Sequence, residues 1–496
     1  MTDDQHPAVG RADDNGVILT DIEPGAVRRV HLVGVGGTGM GAFAGMLKAA
    51  GYDVTGSDEN VYPPMSDMLR AWGIDVFTPY SALNLDRARP DLAIVGNVIR
   101  RTNPEAVALR ERCIAQMSFP AAFGALATAG RHSVVIAGTH GKTTTTALLG
   151  HVLVAAGLDP TFLVGGVTVN YGANFRLGKG QHVVVEGDEY DTAYWDKGPK
   201  FLHYRARTAL LTSIEFDHAD IYRDLPHYET AFARLVASLP DGGWLGVSAS
   251  YPRAVEIARA HARARVVTYA YGRDADFRAD DARFGTEGAR FRITEREGER
   301  AHLLLPMSGF HNLENATGVY AAARSLGLSP EAIVAGFATF HGVKRRQEPR
   351  GEVGGVLVID DFAHHPTAVR ETITAIRQRY PTRRLWAVFE PRSNTSRRNI
   401  HQEEYAAAFD GADLVSIRLP EPHDKVPPNE RLDVWALVKA IDARGIAASA
   451  LADANEMVHL VASGAKANDV VLVMSNGAFG GFIPMLLSAL ESPPSR

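Results

Sequence analysis

Residues 133–150 read SVVIAGTHGKTTTTALLG. The apolar residues 134–136 predict a buried strand, the glycines after them a loop, and the threonines and leucines the start of a helix. Backbone N–H groups in such a loop point inward and can hold a polyphosphate at the helix N-terminus. Lys142 adds a positive charge for the phosphates, and the hydroxyl group after it can hold Mg²⁺. We therefore predict a nucleoside-triphosphate site lined by Gly138, Thr139, His140, Gly141, Lys142, Thr143 and Thr144.

Acidic residues after two later strands favour this site over the alternative, a plain glycine turn with a surface lysine. The predicted strand 182–185 leads into Glu186, and the predicted strand 209–214 leads into Glu215, Asp217 and His218. Parallel strands present their ligand groups at one edge of the sheet, and Mg²⁺ prefers hard oxygen ligands. One acid alone could equally cap a helix or face solvent, but two such strand ends predict a metal-phosphate site.

A second glycine-rich loop lies near the start of the chain, where residues 28–39 read RRVHLVGVGGTG. A helix and a second strand follow, and Asp58 stands just past that strand. This G-x-G-x-x-G fingerprint favours a diphosphate on the helix N-terminus and a ribose near the acid. NAD, FAD or a UDP-sugar would satisfy it, and a turn without a ligand is also possible. The predicted binding residues are Gly34, Gly36, Gly37, Thr38, Gly39 and Asp58.

The later part of the chain contains four further features. Short β-prone runs at about 242–306 predict an antiparallel flank, and the helix that follows begins near Asn312 and Asn315, which can read an adenine edge or cap the helix. A third β–α alternation starts near residue 342 and predicts another open parallel sheet. One of its strands leads into Arg392, Arg397 and Arg398, whose guanidinium groups can hold carboxylates or remain solvated.

Length and composition predict an ordinary globular protein with several domains. The chain has 496 residues, 46% of them hydrophobic, a net charge of −5 and a single cysteine. This composition predicts a cytoplasmic protein with no affinity for nucleic acid and no membrane span. We expect an α/β fold with a Rossmann-like N-terminal domain, a central P-loop ATPase-type domain and a C-terminal Rossmann-like domain. The predicted bounds are 1–27 for a disordered tail, then 28–130, 131–341 and 342–496 for the three domains.

Together these motifs resemble the Mur ligase family, the ATP-dependent amide-bond ligases of peptidoglycan precursor synthesis. The resemblance covers nearly the whole chain from about residue 28. It rests on the G-x-G-x-x-G opening, GTHGKTT from Gly138, Glu186, His218, the HNxxN segment from His311 and DDFAHHPT from Asp360. It implies that ATP is a substrate, that Mg²⁺ is the cofactor and that the first domain binds a UDP-sugar without any nicotinamide.

The resemblance also implies a role for individual residues. Lys142, Glu186 and His218 would be the catalytic residues, and Thr143, Glu186 and His218 would be metal ligands. No lysine of this sequence can be placed in the carbamylated position that several relatives use. The residues implied to bind ATP outside the phosphate loop are Asn312, Asn315, Arg346 and Asp361. Those implied to bind a peptide are Arg392, Ser393, Asn394 and Arg397.

Within the resemblance, the amine partner distinguishes two reactions on UDP-N-acetylmuramate. One joins the murein tripeptide L-alanyl-γ-D-glutamyl-meso-diaminopimelate to the sugar acid, and the other adds L-alanine. The long stretch from Glu186 to residue 222, GVKRRQE from Gly342 and FEPRSNTSRR from Phe389 favour the tripeptide. L-Alanine addition is the alternative. From a different class, a dinucleotide-dependent oxidoreductase would explain only the first domain.

Overall fold

The structure is a computed structural model that describes residues 12–13, 15–23, 25–63, 65–219, 221–298, 300–420 and 426–491. These residues divide into two compact units. The first unit contains residues up to 214, together with 226–269 and 318–336. The second contains residues 215–225, 270–317 and the chain from 337 onward.

The N-terminal domain is a five-stranded parallel sheet with its helices in the crossovers. Its elements are β1 (Ala12–Asp13), β2 (Gly16–Val17), β3 (Arg29–Val33), α1 (Thr38–Ala49), β4 (Asp53–Ser57), α2 (Met65–Ala71), β5 (Asp75–Phe77), α3 (Ala82–Ala88), β6 (Leu92–Val95), α4 (Pro104–Glu111), β7 (Gln116–Ser118) and α5 (Phe119–Phe123). The strand order is β5-β4-β3-β6-β7. The order reverses beside β3, and open α/β sheets bind their ligands at such a switch point.

Part of the segment that we expected to be a disordered tail is paired with this domain. Strands β1 and β2 form an antiparallel hairpin, and Ile18 bridges Gln116 of β7. The Leu19 N–H donates to the carbonyl oxygen of Gln116 at 2.9 Å. Residues 15–23 therefore correct the tail prediction, whereas residues 1–11 lie outside the described residues.

The central domain contains a second, mainly parallel sheet, with the strand before the phosphate loop at its centre and β10 (Phe175–Arg176) antiparallel at its edge. Its elements are β8 (His132–Ala137), α6 (Lys142–Ala155), β9 (Thr161–Leu163), β10 (Phe175–Arg176), β11 (His182–Gly187), β12 (Thr208–Leu211), α7 (Leu225–Ser238), β13 (Trp244–Ser248), α8 (Pro252–His261) and β14 (Arg265–Tyr271). Strand β8 lies between β11 and β12 and pairs in parallel with both. The carboxyl ends of three strands therefore meet around the loop.

The expected antiparallel flank at 242–306 is only partly correct. Strands β13 and β14 continue the parallel sheet, because β13 pairs in parallel with both β12 and β14. The antiparallel part is a meander in the second unit, formed by β15 (Phe277–Gly285), β16 (Gly288–Glu295) and β17 (Arg300–Leu305). Helices α9 (Phe310–Ser325) and α10 (Pro330–Ala338) follow. Short β-prone runs alone do not reveal direction, which depends on whether a crossover helix such as α8 intervenes.

The C-terminal domain is a six-stranded sheet covered on both faces. Its elements are β18 (Glu348–Val353), β19 (Val356–Asp361), α11 (Pro366–Arg379), β20 (Arg384–Phe389), α12 (Gln402–Ala408), β21 (Leu414–Arg418), α13 (Val434–Asp442), β22 (Ala447–Leu451), α14 (Ala454–Gly464), β23 (Asp469–Met474) and α15 (Phe482–Glu491). Along β20, Leu385 and Phe389 join one core cluster while Trp386 and Val388 join the other. Such a strand reads as a continuous apolar run because neither face meets water.

The predicted fold class of three α/β domains is confirmed. The strand order of the third sheet is β18-β19-β23-β20-β21-β22, with β18 antiparallel at its edge. This order differs from that of the N-terminal sheet, because the last strand inserts between β19 and β20. Within the described residues, no helix is long and apolar enough to cross a membrane.

A buried polar network lies beneath the glycine loop of the N-terminal domain. The side chains of His31 and Glu105 are fully buried, with Nε2 of His31 3.3 Å from Oε2 of Glu105. Ser57 Oγ donates to Oε2 of Glu105 at 2.5 Å, and Asn84 Nδ2 donates to Oε1 at 2.7 Å. Thr55 Oγ1 lies 2.8 Å from Nδ1 of His31. Burial alone would raise the pKa of Glu105, but its hydrogen bonds with His31, Ser57 and Asn84 lower it below its ordinary value.

Replacing this carboxylate should destabilise the protein in a pH-dependent way. Glu105→Gln removes a buried charge from its hydrogen-bond partners, which should lower the free energy of unfolding by about 3 kcal/mol at neutral pH. Because the folded-state pKa is lowered, the stabilisation is complete above about pH 4.5 and is lost as the pH falls through the folded-state pKa. Scanning calorimetry at several pH values should show that the difference in melting temperature between wild type and variant becomes smaller as the pH is lowered. Glu111→Gln, at the exposed end of the same helix, is the control. A difference in melting temperature that does not change with pH would contradict a stabilising role of the Glu105 charge.

Candidate active site

The phosphate loop joins β8 to α6, and its backbone requires glycine. Gly138 has a φ of +133°, and a Cβ atom there would lie 2.2 Å from Oγ1 of Thr212. Gly141 has a φ of +79° at the start of α6. The segment after β12 fixes the loop, since Thr212 Oγ1 donates to the His140 carbonyl at 2.6 Å and the His140 N–H donates to Ser213 Oγ at 2.8 Å. The predicted strand 209–214 thus ends at Leu211, and the next residues hold the loop.

The ammonium group of Lys142 is held by a carboxylate that we did not predict. Lys142 Nζ donates to the carbonyl of Gly138 at 2.6 Å and to Oε2 of Glu189 at 3.0 Å. Tyr228 donates its hydroxyl hydrogen to Oε1 of Glu189 at 3.0 Å and lies 3.1 Å from Thr139 Oγ1. The sequence alone does not distinguish Glu189 from the other acidic residues at 186–191. Its distinguishing property is complete side-chain burial beside the lysine.

The carboxylates around Lys142 keep its amine charged. Burial alone would lower the pKa of Lys142, but Glu189, Asp188 and Glu186 together raise it above its ordinary value. A permanently charged amine suits a site for phosphate oxygens, because it needs no proton before the nucleotide arrives. The electrostatics of this cluster therefore support the nucleotide-binding role of Lys142.

Thr143 and Glu186, two of the predicted metal ligands, lie together. The Thr143 hydroxyl donates to Oε1 of Glu186 at 2.9 Å, and the Gly165 N–H donates to Oε2 at 2.7 Å. Thr144, the next loop residue, is buried in the first turn of α6. A hydroxyl and a carboxylate oxygen beside a phosphate loop are the hard donors that Mg²⁺ prefers. These two residues therefore fit the ion, and their role as its ligands stays a prediction.

The glycine loop of the N-terminal domain is held by Asp58. The Gly36 N–H donates to Oδ2 of Asp58 at 2.7 Å, and the Glu59 N–H donates to Oδ1 at 2.8 Å. Gly34 has a φ of +89°, and Gly37 precedes the first residue of α1, Thr38. Asp58 thus shapes the loop directly, and its contact with a ribose stays a prediction.

Both loops belong to the first unit, and a hydrogen bond links the glycine loop to the central domain. Asn174, after the phosphate-loop helix, donates a hydrogen bond from Nδ2 to the carbonyl of Thr38 at 3.2 Å. Within the N-terminal domain, Phe119, the first residue of α5, lies 3.5 Å from the position that a Cβ on Gly39 would occupy. A diphosphate on the first loop and a triphosphate on the second would therefore be held by one packed body.

The predicted residue His218 lies in the second unit, next to a buried acid. Asp217 Oδ1 accepts a hydrogen bond from the His218 N–H at 2.7 Å. Burial alone would raise the pKa of Asp217, but His218, His364 and His365 and a hydrogen bond with Thr395 lower it below its ordinary value. Asp217 is therefore ionised beside His218. The metal and catalytic roles of His218 stay predictions.

Asn312 and Asn315 are largely buried in the first turns of α9. Asn312 Nδ2 donates to the carbonyl of Ser308 at 2.8 Å. One N–H group of its side-chain amide is therefore already bound to the backbone just before the helix. This local bond is of the kind expected if the residue supports the helix terminus. The contact of both side chains with an adenine stays a prediction.

Arg346 lies against the aromatic ring of Phe362, the residue that follows Asp361 in the chain. The guanidinium carbons of Arg345 and Arg346 are 5.1 and 5.0 Å from the ring centroid. Asp361 is buried, and its oxygens accept hydrogen bonds from the Gln347 and Ala363 N–H groups, each at 2.8 Å. Burial is the main reason why the pKa of Asp361 is raised. A ribose hydroxyl would have to share these oxygens with the backbone, and the ribose role stays a prediction.

The predicted peptide-binding residues form the loop after β20. The Arg397 N–H donates to the Ser393 carbonyl at 3.1 Å, and the Ser396 N–H donates to Ser393 Oγ at 3.0 Å, which folds the loop back on itself. The side chains of Arg392 and Asn394 are exposed. An exposed guanidinium on an ordered loop can bind a carboxylate with two parallel hydrogen bonds. The assignment of these residues to a peptide stays a prediction.

Fold and site together define a P-loop nucleotide-dependent enzyme built from three α/β domains. Three family models match successive parts of the chain: the Mur ligase family catalytic domain on residues 29–131, the Mur ligase middle domain on 136–323 and the Mur ligase glutamate ligase domain on 345–477. The chain belongs to the Mur ligase family. It is therefore an ATP-dependent ligase that forms an amide bond in peptidoglycan metabolism, and this membership excludes the oxidoreductase alternative.

The chain is similar to family members that are named for reactions with different amine partners. The UDP-N-acetylmuramate--L-alanyl-gamma-D-glutamyl-meso-2,6-diaminoheptandioate ligase of Haemophilus influenzae is 36% identical over 94% of this chain and 100% of its own length. The UDP-N-acetylmuramate--L-alanine ligase of Rhizobium etli is 34% identical over 94% of this chain and 98% of its own length. The crystal structure of a murein peptide ligase from Psychrobacter arcticus has a TM-score of 0.71 and 33% identity, covering 94% of this chain and 99% of that one.

Glu189 should determine the stability of the empty phosphate site. Glu189→Gln leaves the buried ammonium of Lys142 without its ionised partner, which should lower the stability of the ligand-free protein by about 3 kcal/mol. A bound triphosphate would supply the missing negative charge, so Mg-ATP should raise the melting temperature more in this variant than in the wild type. Thermal denaturation with and without Mg-ATP measures both effects.

The control for this experiment is Asp191→Asn, which changes a more exposed acid of the same run that pairs with Lys197. It should alter neither the melting temperature nor the ATP-induced shift by much. An equal ATP-induced shift in Glu189→Gln and wild type would contradict the idea that Glu189 and the nucleotide share Lys142.

Proposed function

We propose that this ligase joins L-alanyl-γ-D-glutamyl-meso-diaminopimelate to the carboxylate of UDP-N-acetylmuramate, at the expense of ATP, in peptidoglycan recycling. The observation that carries the proposal is the likeness over 94% of the chain to a relative named for this reaction. The loop from Phe389 to Arg398 supports it, because its exposed Arg392 and Asn394 offer groups for the carboxylates and amides of a peptide. Since ATP and sugar nucleotides are cytoplasmic metabolites, we place the reaction in the cytoplasm.

L-Alanine addition is the second candidate, because the relative from Rhizobium etli named for it is 34% identical over 475 residues. The two reactions share the sugar acid and the nucleotide and differ in the amine alone. A single amino acid carries one carboxylate, whereas the tripeptide carries several charged groups that a larger surface must satisfy.

In the proposed reaction the phosphate loop positions ATP for attack by the sugar acid. Loop N–H groups and Lys142 hold the β- and γ-phosphates, and a carboxylate oxygen of UDP-N-acetylmuramate attacks the γ-phosphorus in line as the bond to ADP breaks. Mg²⁺, for which Thr143 and Glu186 supply fitting oxygens, neutralises phosphate charge when it is bound.

The acyl phosphate formed in this step then reacts with the peptide. Its amine attacks the acyl carbon, inorganic phosphate leaves, and one proton passes from the amine to a base. His218 or a neighbouring carboxylate can accept that proton. An α-amino group has a reference pKa near 8, so at physiological pH the neutral form that attacks is the minority but needs only a modest push to form.

The amine partner can be tested directly. We expect kcat/KM for the tripeptide to exceed that for L-alanine by at least about 100-fold, because groups built to bind several charges of a peptide are left unpaired by an amino acid. Phosphate release from ATP, in the presence of UDP-N-acetylmuramate and each amine in turn, provides the measurement.

Two variants in the C-terminal domain test whether Arg392 takes part in binding the tripeptide. Arg392→Met should lower kcat/KM for the tripeptide by about tenfold, whereas Arg444→Met, which removes a surface partner of Asp410 in the same domain, should not. Faster turnover of L-alanine than of the tripeptide would refute the first proposal and favour the second candidate.

The acyl phosphate can be trapped chemically. Hydroxylamine, added with ATP and UDP-N-acetylmuramate in the absence of peptide, should give the hydroxamate of the sugar acid, because a strong nucleophile captures an activated acyl group. Mass spectrometry detects this product. Lys142→Ala, which lacks the charge for the phosphates, should form none. If wild type forms no hydroxamate under conditions of rapid ligation, the acyl-phosphate route is wrong.

A further inference from the structure

Lys200 is a buried cation that the mechanism above does not use. It is the first residue of a short 3-10 helix, Lys200–Tyr204, and only 8% of its surface is exposed. Its Nζ lies 4.0 Å from the ring centroid of Tyr190 and 3.4 Å from Oδ2 of Asp188. In the part of the chain that the structure describes, Asp188 is the one hydrogen-bond acceptor of this ammonium group, which has three donors. A buried ammonium group with one long hydrogen bond can therefore bind a further anion.

Lys200 lies near residues that flank both loops of the first unit. Its partner Asp188 stands between Glu186, which contacts Thr143, and Glu189, which contacts Lys142. On another side, Nζ lies 6.0 Å from the ring of Phe119, the residue that packs against Gly39 of the glycine loop. The ammonium group therefore lies between a residue that flanks the glycine loop and the acidic run that flanks the phosphate loop.

The chain around Lys200 is fixed by contacts with the N-terminal domain. We call residues 190–204 the bridging segment. Its Tyr194 accepts a hydrogen bond from Arg110 at 3.1 Å and, with Trp195, packs against the core cluster that includes Leu109. Tyr204 lies 5.4 Å from Phe123, measured between ring centroids. A cation held on such a segment is already oriented before a ligand binds, which reduces the entropy cost of binding.

We propose that Lys200 binds the carboxylate of the sugar acid and positions it for attack on ATP. This inference rests on the proposed function, since it takes UDP-N-acetylmuramate as the substrate. The diphosphate of that substrate has its own site at the N-terminus of α1, so the anion left for Lys200 is the carboxylate at the other end. A cation is needed there, because a carboxylate and a triphosphate repel each other as they approach.

The test compares two sugar nucleotides that differ in this carboxylate. UDP-N-acetylmuramate carries the lactyl acid, and UDP-N-acetylglucosamine lacks it, while both contain the diphosphate. Isothermal titration of the full-length protein, without ATP or peptide, gives the dissociation constant of each. Lys200→Met should weaken binding of UDP-N-acetylmuramate by at least about tenfold and leave binding of UDP-N-acetylglucosamine within about twofold.

Two further variants distinguish a binding role from a structural one. Lys197→Met removes an exposed lysine from the same segment and should bind both nucleotides like the wild type. Lys200→Arg keeps the charge and should recover part of the lost affinity for UDP-N-acetylmuramate. If Lys200→Met does not fold, Lys200→Gln, which removes the charge but keeps a polar side chain, replaces it in the comparison.

The possible outcomes separate the inference from the proposed function. Equal weakening of both nucleotides, or no weakening of either, would overturn the role of Lys200 while leaving the proposed reaction intact. A wild-type protein that binds UDP-N-acetylglucosamine as tightly as UDP-N-acetylmuramate would show that no group reads the carboxylate, which also overturns the inference. Failure of the wild type to bind UDP-N-acetylmuramate at all would contradict the proposed function itself.

Discussion

The contact between the ammonium of Lys142 and the carboxylate of Glu189 is the interaction on which the central domain depends. The pair lies at the start of α6, where the positive end of the helix already disfavours a cation. It persists because Glu189 is fully buried and is itself fixed by Tyr228. Three strand ends converge to build this arrangement: β8 supplies the loop, β11 leads to the acids, and the residues after β12 hold the loop from the far side.

The same principle of parallel strand ends explains why the functional groups collect where they do. In each sheet the apolar interior leaves the carboxyl edge as the place where polar side chains can reach solvent or a ligand. The N-terminal sheet presents the glycine loop and Asp58 there. The C-terminal sheet presents Asp361 at the end of β19 and the loop with Arg392 after β20. A ligase that must hold a sugar acid, a nucleotide and an amine can thus use three copies of one architectural solution.

Much of this could be predicted from sequence, because the strongest signals are local. The GTHGKTT loop and the G-x-G-x-x-G loop were located correctly, since glycine is required where φ is positive or where the backbone approaches a neighbour closely. The contact between Thr143 and Glu186 followed from placing an acid at a parallel strand end. Glu189 and Lys200 could not be selected, because their importance depends on burial among residues distant in the chain.

Strand direction and local hydrogen bonding were the other features that sequence could not determine. Strands β13 and β14 are parallel because α8 carries the chain across between them, and a short apolar run contains no trace of that direction. Asn312 carries the groups for reading a base, yet its amide is engaged by Ser308 before any ligand arrives. In the first case the connection between strands decides their direction. In the second a local hydrogen bond engages one of the two amide donors of Asn312, and its contact with an adenine stays a prediction.

The contacts that join the glycine loop to the central domain have a consequence for substrate size. Asn174 meets Thr38 and the bridging segment packs against the N-terminal core, so packed side chains connect the domains that carry the two loops. With a sugar diphosphate on one loop and ATP on the other, as proposed, the first unit would act as a molecular ruler. Only an acid whose carboxylate lies the correct number of bonds from its diphosphate would then engage one loop and reach the nucleotide on the other.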